Sequence, residues 1–169
     1  GPEGALWATV GEQFTGGQSD GDVYGDVIRI NPDGTVPSTN PTVGDSSVPD
    51  EVFAEGLRNP FRSQWNLDTS KGSPVRYYIG DVGGNSDPDW EEVNVLTPED
   101  ITNASNDGTM VNFGWSGENA GCEGAYEGGS TTEDCQLPDH RDPLYDYQHT
   151  RAGASTDASI SGGVVYNGD

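Results

Sequence analysis

Short runs in which apolar and polar residues alternate recur along the chain, each bounded by Gly, Pro, Asn, Asp or Ser. ALWATV (5–10), DVIRIN (26–31), EVFAEG (51–56), RSQWNLD (62–68), VRYYIGDV (75–82), WEEVNVL (90–96), MVNFGW (110–115), LYDYQH (144–149) and SISGGVVYNG (159–168) all read as strands. A period of two sends alternate side chains to opposite faces of a sheet. The connections carry turn chemistry. NPDG, closing the second run, offers a Pro to preset φ and a Gly to accept positive φ, and TSKGSP joins two runs as a hairpin. Only TPEDITNA (97–104) reads as helical, a single turn opened by Thr97 or Pro98. The pattern predicts an all-β chain of antiparallel hairpins, and a sandwich, a barrel and a propeller all satisfy it. A propeller blade takes about 40–50 residues, so this length predicts roughly three to four blades, too few to close a ring. The chain opens inside one strand unit, GPEGALWATV, and stops inside another, SGGVVYNGD. The reading is therefore one partial domain, 1–169, from the middle of a longer chain.

Charge narrows the partners. Lys and Arg number 7 against 29 Asp and Glu, a formal net charge of −22. Phosphate binding needs clustered cations, so nucleic acid is excluded as a partner, and anionic membrane surfaces are disfavoured. No stretch reaches the roughly 20 apolar residues of a membrane span. Most of the carboxylates read as solvated surface, Asp26 among them, and the balance favours solubility, cation binding or life in high salt. Cys122 and Cys135 bracket a Gly/Glu/Ser-rich loop. An even count in a loop suggests one disulfide, worth about 3 kcal/mol in the chain-entropy model, and an extracellular or periplasmic, secreted location. Two reduced thiols are the alternative; zinc is disfavoured, because the pair is not CxxC and only His140 lies near. Asn103-Ala104-Ser105 is a glycosylation sequon.

Against that acidity, GLRNPFRSQW (56–65) places two arginines, Arg58 and Arg62, around an Asn-Pro. Arg58 either faces an anionic ligand or pairs with Glu55 or Asp81 and stitches strands together. Arg62 reads as a surface or inter-blade residue.

Several phrases occur together over nearly the whole chain: GPEGALWATVGEQ, YGDVIRINPDGTVPSTNP, FAEGLRNPFRSQWNLD, YIGDVGGNSDPDWEEVNVL, NFGWSGENAGCEG and PLYDYQHT followed by SISGGVVYNG. In this order they resemble the soluble quinoprotein glucose/sorbosone dehydrogenase family, which includes aldose sugar dehydrogenases and hedgehog-interacting-protein-like propellers. The resemblance implies a six-bladed β-propeller carrying pyrroloquinoline quinone and Ca²⁺ over its central channel. It also implies oxidation of a sugar hydroxyl, with electrons passed to an acceptor. Arg58 and Asn59 match the family's Arg-Asn pair beside the cofactor. Gly83 and Gly84 match positions whose carbonyls help bind the calcium. Val82 stands where the glucose dehydrogenase branch has Gln, which removes one side-chain contact to the quinone. Glu12 matches a family Asp that assists a His base lying upstream of this segment. Trp115 fits either core packing or substrate stacking, Asn112 fixes its own loop, and His149 serves as a base, a ligand or a structural residue. Asp87, Asp89 and Glu91 would form a separate Ca²⁺ site. A second reading of the same scaffold is a non-catalytic extracellular calcium-binding propeller for carbohydrate or protein. A third is self-assembly through open blade edges.

Overall fold

The computed structural model describes residues 1–13, 17–18, 21–84, 90–115, 140–148 and 159–166. Its strands are β1 (Leu6–Thr9), β2 (Val27–Ile30), β3 (Val52–Glu55), β4 (Pro60–Asn66), β5 (Arg76–Asp81), β6 (Trp90–Leu96), β7 (Val111–Asn112) and β8 (Tyr145–Gln148), with one α-helix, α1 (Pro98–Asp107). They form two four-stranded sheets, ordered β1-β2-β3-β7 and β4-β5-β6-β8. Every pairing is antiparallel except β3 with β7. Four strands is the size of a propeller blade. The described strands thus make two blade-sized sheets, mostly-β rather than all-β because of α1. No helix among the described residues is long and apolar enough to cross a membrane.

One core lies between the sheets. Trp7 of β1 sits edge-on to Phe53 of β3 at 4.7 Å and to Trp65 of β4 at 5.1 Å, and Trp65 stacks on Tyr77 of β5 at 5.2 Å. Such aromatic pairs add about 0.5–1.5 kcal/mol each beyond the area they bury. Val27, Leu57, Ile79, Leu96, Ile101 and Phe113 belong to the same apolar cluster. Arg29 is buried beside it, its guanidinium bonded to Thr39, Asn40 and Glu3. Asp26, read from the sequence as surface acidity, is fully buried instead.

β6 coincides with its predicted run, and the β4–β5 hairpin pairs Asn66 with Arg76 across TSKGSP. β4 starts earlier than predicted, at Pro60, which registers with Asp81. Proline is tolerated as the first residue of a strand because its missing N–H breaks no interior ladder bond. Residues 159–166, read as a strand, carry none. They lie against the second sheet, where a Cβ added to Gly80 would stand 2.9 Å from Gly162 Cα. The Ile160 N–H donates to Glu91 Oε2 at 2.6 Å.

α1 is longer than the single turn predicted, with 10 residues. Its start is fixed by Asp100, whose Oδ2 accepts from the Thr97 N–H at 2.6 Å and the Thr97 hydroxyl at 3.0 Å. This reciprocal cap satisfies donors that the first turn leaves open. Its end is Gly108, at φ 75°, a left-handed closing residue. Arg141 clamps the helix with a two-pronged contact to Asp100, 2.6 and 2.7 Å. Burial alone would raise the Asp100 pKa, but the Arg141 fork and the Thr97 donors outweigh it and hold the carboxyl below its ordinary 3.8. The stabilisation is therefore fully present above pH 3.8 and is lost as pH falls through the lower folded value. Arg141→Met is expected to cost about 1–3 kcal/mol at pH 7. Thermal melts of both proteins between pH 6 and 2 check this. The gap between them should narrow only in the acid limb; a gap constant with pH would reject the assignment.

Candidate functional site

Four segments leave their strands and meet. Beyond β1, Val10 and Gly11 lead to Glu12. Beyond β3 comes Gly56-Leu57-Arg58-Asn59, beyond β5 comes Val82-Gly83-Gly84, and beyond β7 comes Phe113-Gly114-Trp115. Main-chain bonds join them. The Glu12 N–H donates to the Arg58 carbonyl at 2.7 Å, the Val82 N–H to the Asn59 carbonyl at 3.2 Å, and the Trp115 N–H to the Gly56 carbonyl at 2.9 Å. Gly56 is at φ 84°, and a Cβ there would stand 2.6 Å from the Gly114 nitrogen. Only glycine lets the β3 exit pass this close beneath the loop after β7. Glu12, Arg58, Asn59, Gly83 and Gly84, which lie far apart in the sequence, thus occupy one neighbourhood.

Asp81, the last residue of β5, ties the Arg-Asn loop down. Its Oδ2 accepts the Arg58 N–H at 3.0 Å and its Oδ1 accepts the Asn59 N–H at 2.7 Å. The sequence offered Asp81 as an ion-pair partner for the Arg58 side chain; the carboxylate is instead bonded to the main chain. Burial pushes its pKa up to about 7, against the pull of those two N–H donors and of the Arg58 charge, with Glu91 adding a like charge.

The loop so held turns its side chains outward. Asn59 is exposed and Arg58 half-buried. Among the described residues the Arg58 guanidinium makes one hydrogen bond, a long one of 3.4 Å to the Val82 carbonyl, and faces the Trp115 ring at 6.0 Å. A planar fork beside an exposed amide suits a carboxylate or a quinone oxygen. Gly83 and Gly84 are buried. Among the described residues no group of three or more His, Cys, Asp or Glu could hold a metal ion. A cation in this neighbourhood would depend on main-chain carbonyls, which are suitable hard ligands for Ca²⁺.

Beneath Trp115 lies a polar network that the sequence did not reveal. Asn112 is buried. Its Nδ2 donates to Gln18 Oε1 at 2.7 Å and Glu55 Oε1 at 2.9 Å, while its Oδ1 accepts from the Gly114 N–H at 2.9 Å and Gln18 Nε2 at 3.3 Å. Gln18 also donates to the Trp115 carbonyl at 2.7 Å. Asn112 thus fixes its loop through the amide, as read from the sequence. Trp115 is buried, which favours packing over substrate stacking. Gln18 carried no signal, since it is one of many polar residues in loops, and Glu55, read as a possible partner of Arg58, is bonded to Asn112. Asp81 had a faint one, an Asp at a strand end just before a Gly turn.

Other expected residues are not part of this neighbourhood. Arg62 is exposed on β4. Glu91 is buried on β6 and spends an oxygen on Ile160. Cys122 with Cys135, His149, and the pair Asp87 and Asp89 lie outside the described residues.

The chain matches known proteins in both sequence and fold. The family profile described as Glucose / Sorbosone dehydrogenase matches residues 1–169. The HIPL1 protein of Arabidopsis thaliana is 26% identical over 195 aligned residues, which cover all of this chain and 25% of that protein. Among solved structures, a putative oxidoreductase (glucose dehydrogenase) from Thermus thermophilus superposes with a TM-score of 0.58 at 25% identity, covering 87% of this chain and 37% of that one. The soluble aldose sugar dehydrogenase of Escherichia coli, in its apo-form, shares the fold at a TM-score of 0.54 and 17% identity, over 85% of this chain and 37% of its own. The chain therefore spans a quarter to somewhat over a third of the length of these relatives.

Proposed function

Since this chain belongs to the glucose/sorbosone dehydrogenase family, we propose that it is part of a sugar dehydrogenase of the six-bladed propeller type that binds pyrroloquinoline quinone and Ca²⁺. The observation that carries the reading is the direct bonding of the Arg58-Asn59 loop to the Val82-Gly83-Gly84 turn, which brings an anion-binding fork and a carbonyl turn together. The quinone, when bound, supplies the electron-accepting chemistry. The protein's contribution here is binding and orientation. Arg58 would hold an anionic oxygen of the cofactor, Asn59 would hydrogen-bond the same edge, and the Gly83 and Gly84 carbonyls would face the calcium. Glu12, tied through its N–H to the Arg58 carbonyl, would orient a base supplied from outside this segment. A sugar and an electron acceptor are the implied partners, and the setting is extracellular or periplasmic.

Titration of calcium-loaded protein with pyrroloquinoline quinone, repeated after chelation, tests this. Saturable, calcium-dependent binding is the expected result. Absence of binding by folded protein would reject it and favour the second reading, a non-catalytic calcium-binding propeller. One feature supports that alternative: Val82, where the glucose dehydrogenase branch has Gln, hydrogen-bonds the Arg-Asn loop through its main chain and has no side-chain polar group for the quinone.

A further inference from the structure

Arg58 and Asn59 project from a loop whose consecutive N–H groups both need acceptors. The next residue, Pro60, has no N–H, so the β4–β5 ladder cannot extend back through it in the usual way. One buried side chain meets the need. Asp81 gives one oxygen to each amide, at 3.0 and 2.7 Å. It is 4% exposed, so water cannot readily take its place. The chain then continues from Asp81 straight into Val82-Gly83-Gly84. The Val82 N–H returns to the Asn59 carbonyl at 3.2 Å, and the Arg58 guanidinium reaches the Val82 carbonyl at 3.4 Å. A single residue is therefore bonded to the loop carrying the Arg-Asn pair and lies two positions before the glycine turn.

We infer that Asp81 is a positioning residue that sets the Arg58-Asn59 fork relative to the Gly83-Gly84 turn, so that both can engage one anionic cofactor. The inference rests on the quinone-binding reading above and adds to it a residue that does not touch the ligand. Its carboxylate has the symmetry this loop requires, two equivalent acceptors for two parallel donors. Asn in its place keeps the shape but turns one acceptor into an NH₂ that faces an N–H. Glu keeps the charge but displaces it by one methylene.

The test uses the intact calcium-loaded protein and its Asp81→Asn, Asp81→Glu, Arg58→Ala and Arg58→Ala/Asp81→Asn variants. Two measurements are made: amide hydrogen exchange over residues 56–61, and affinity for pyrroloquinoline quinone. In Asp81→Asn the Arg58 and Asn59 amides are expected to lose protection, with the far end of β4 unchanged. Quinone affinity should fall about 10- to 100-fold, the usual cost of removing a residue that orients a ligand-binding group. In the double variant the Asp81→Asn loss should be smaller than it is in wild type, because Asp81 acts in part through Arg58 and only the share carried by Asn59 remains. Unchanged protection, or losses that multiply in the double variant, would overturn the inference. If Asp81→Asn fails to fold, the same comparison on Asp81→Glu decides. If wild-type protein binds no quinone, the functional reading fails by itself, and exchange at Arg58 and Asn59 alone decides whether Asp81 holds the loop.

Discussion

Arg58→Ala is expected to lower affinity for pyrroloquinoline quinone about 10- to 100-fold while barely moving the melting temperature. The affinity figure follows from losing hydrogen bonds to a charged group, about 1.5–3 kcal/mol. The small stability effect follows from what the side chain does within the protein. Its one described hydrogen bond is long, 3.4 Å to Val82, and its contact with the Trp115 ring is at 6.0 Å. An interaction of that second kind contributes about 0.5–1 kcal/mol near a surface. A strand-stitching arginine would show the opposite pattern, with stability lost and affinity kept. Arg58→Lys separates charge from shape: it keeps the positive charge but loses the planar fork, so it should fall between wild type and Ala. Added salt should narrow the affinity gap between wild type and Arg58→Ala, because it screens this cation's attraction for the anionic quinone while screening the repulsion from the net charge of −22 alike in both proteins. Titrations followed by tryptophan fluorescence, paired with melting curves, measure both quantities. Equal affinities for wild type and Ala would remove Arg58 from the site.

Much of this arrangement was legible in the residues. Alternation located β1, β2, β3, β5, β6 and β8 to within about a residue at each end, at sheet edges as well as in sheet interiors. The prediction failed where a non-local contact decided the outcome. Pro60 starts β4 because Asp81 lies opposite it. SISGGVVYNG has strand composition, but its described part, 159–166, meets the second sheet through the Gly80–Gly162 approach and not through a ladder. MVNFGW yields only Val111–Asn112 as strand, and that pair lies parallel to β3 where hairpin logic expects antiparallel pairing. α1 outgrew its predicted turn although Asn, Ser and Asp are poor helix formers. Thr97-Asp100 at one end, Gly108 at the other and Arg141 from a distant segment hold it. In the site, the resemblance gave Arg58, Asn59, Gly83 and Gly84 as separate matches, and each bond that unites their loops has a main-chain group at one end or both. A main-chain partner leaves no trace in side-chain identity. Gln18 was missed, and Asp81 was read only as an ion-pair partner of the Arg58 side chain, for a related reason: each is an ordinary polar residue until the fold puts a donor or acceptor opposite it.

Asn112 is where stability should depend most on one such residue. Its amide is bonded on both sides, to Gln18, Glu55 and the Gly114 N–H. The Gly114 N–H can only donate, so it fixes which end of the amide is oxygen. Asn112→Ala leaves that buried N–H without this partner, and the part-buried Gln18 Oε1 and Glu55 each with one donor fewer. The expected loss is about 3–5 kcal/mol in urea unfolding, at the upper end for a single substitution. Asn112→Asp should be worse at pH 8 than at pH 5. It replaces the NH₂ that faces Glu55 Oε1 with a second carboxylate oxygen, and like charges this close in a part-buried site favour taking up a proton. Gln18 also holds the Trp115 carbonyl, and Trp115 faces the Arg58 guanidinium, so the damage should reach the ligand fork. Quinone affinity should therefore fall in Asn112→Ala even under conditions where the variant remains folded. A loss below about 1 kcal/mol would mean that the network relaxes around the missing amide, and that Trp115 is held in place chiefly by its apolar neighbours.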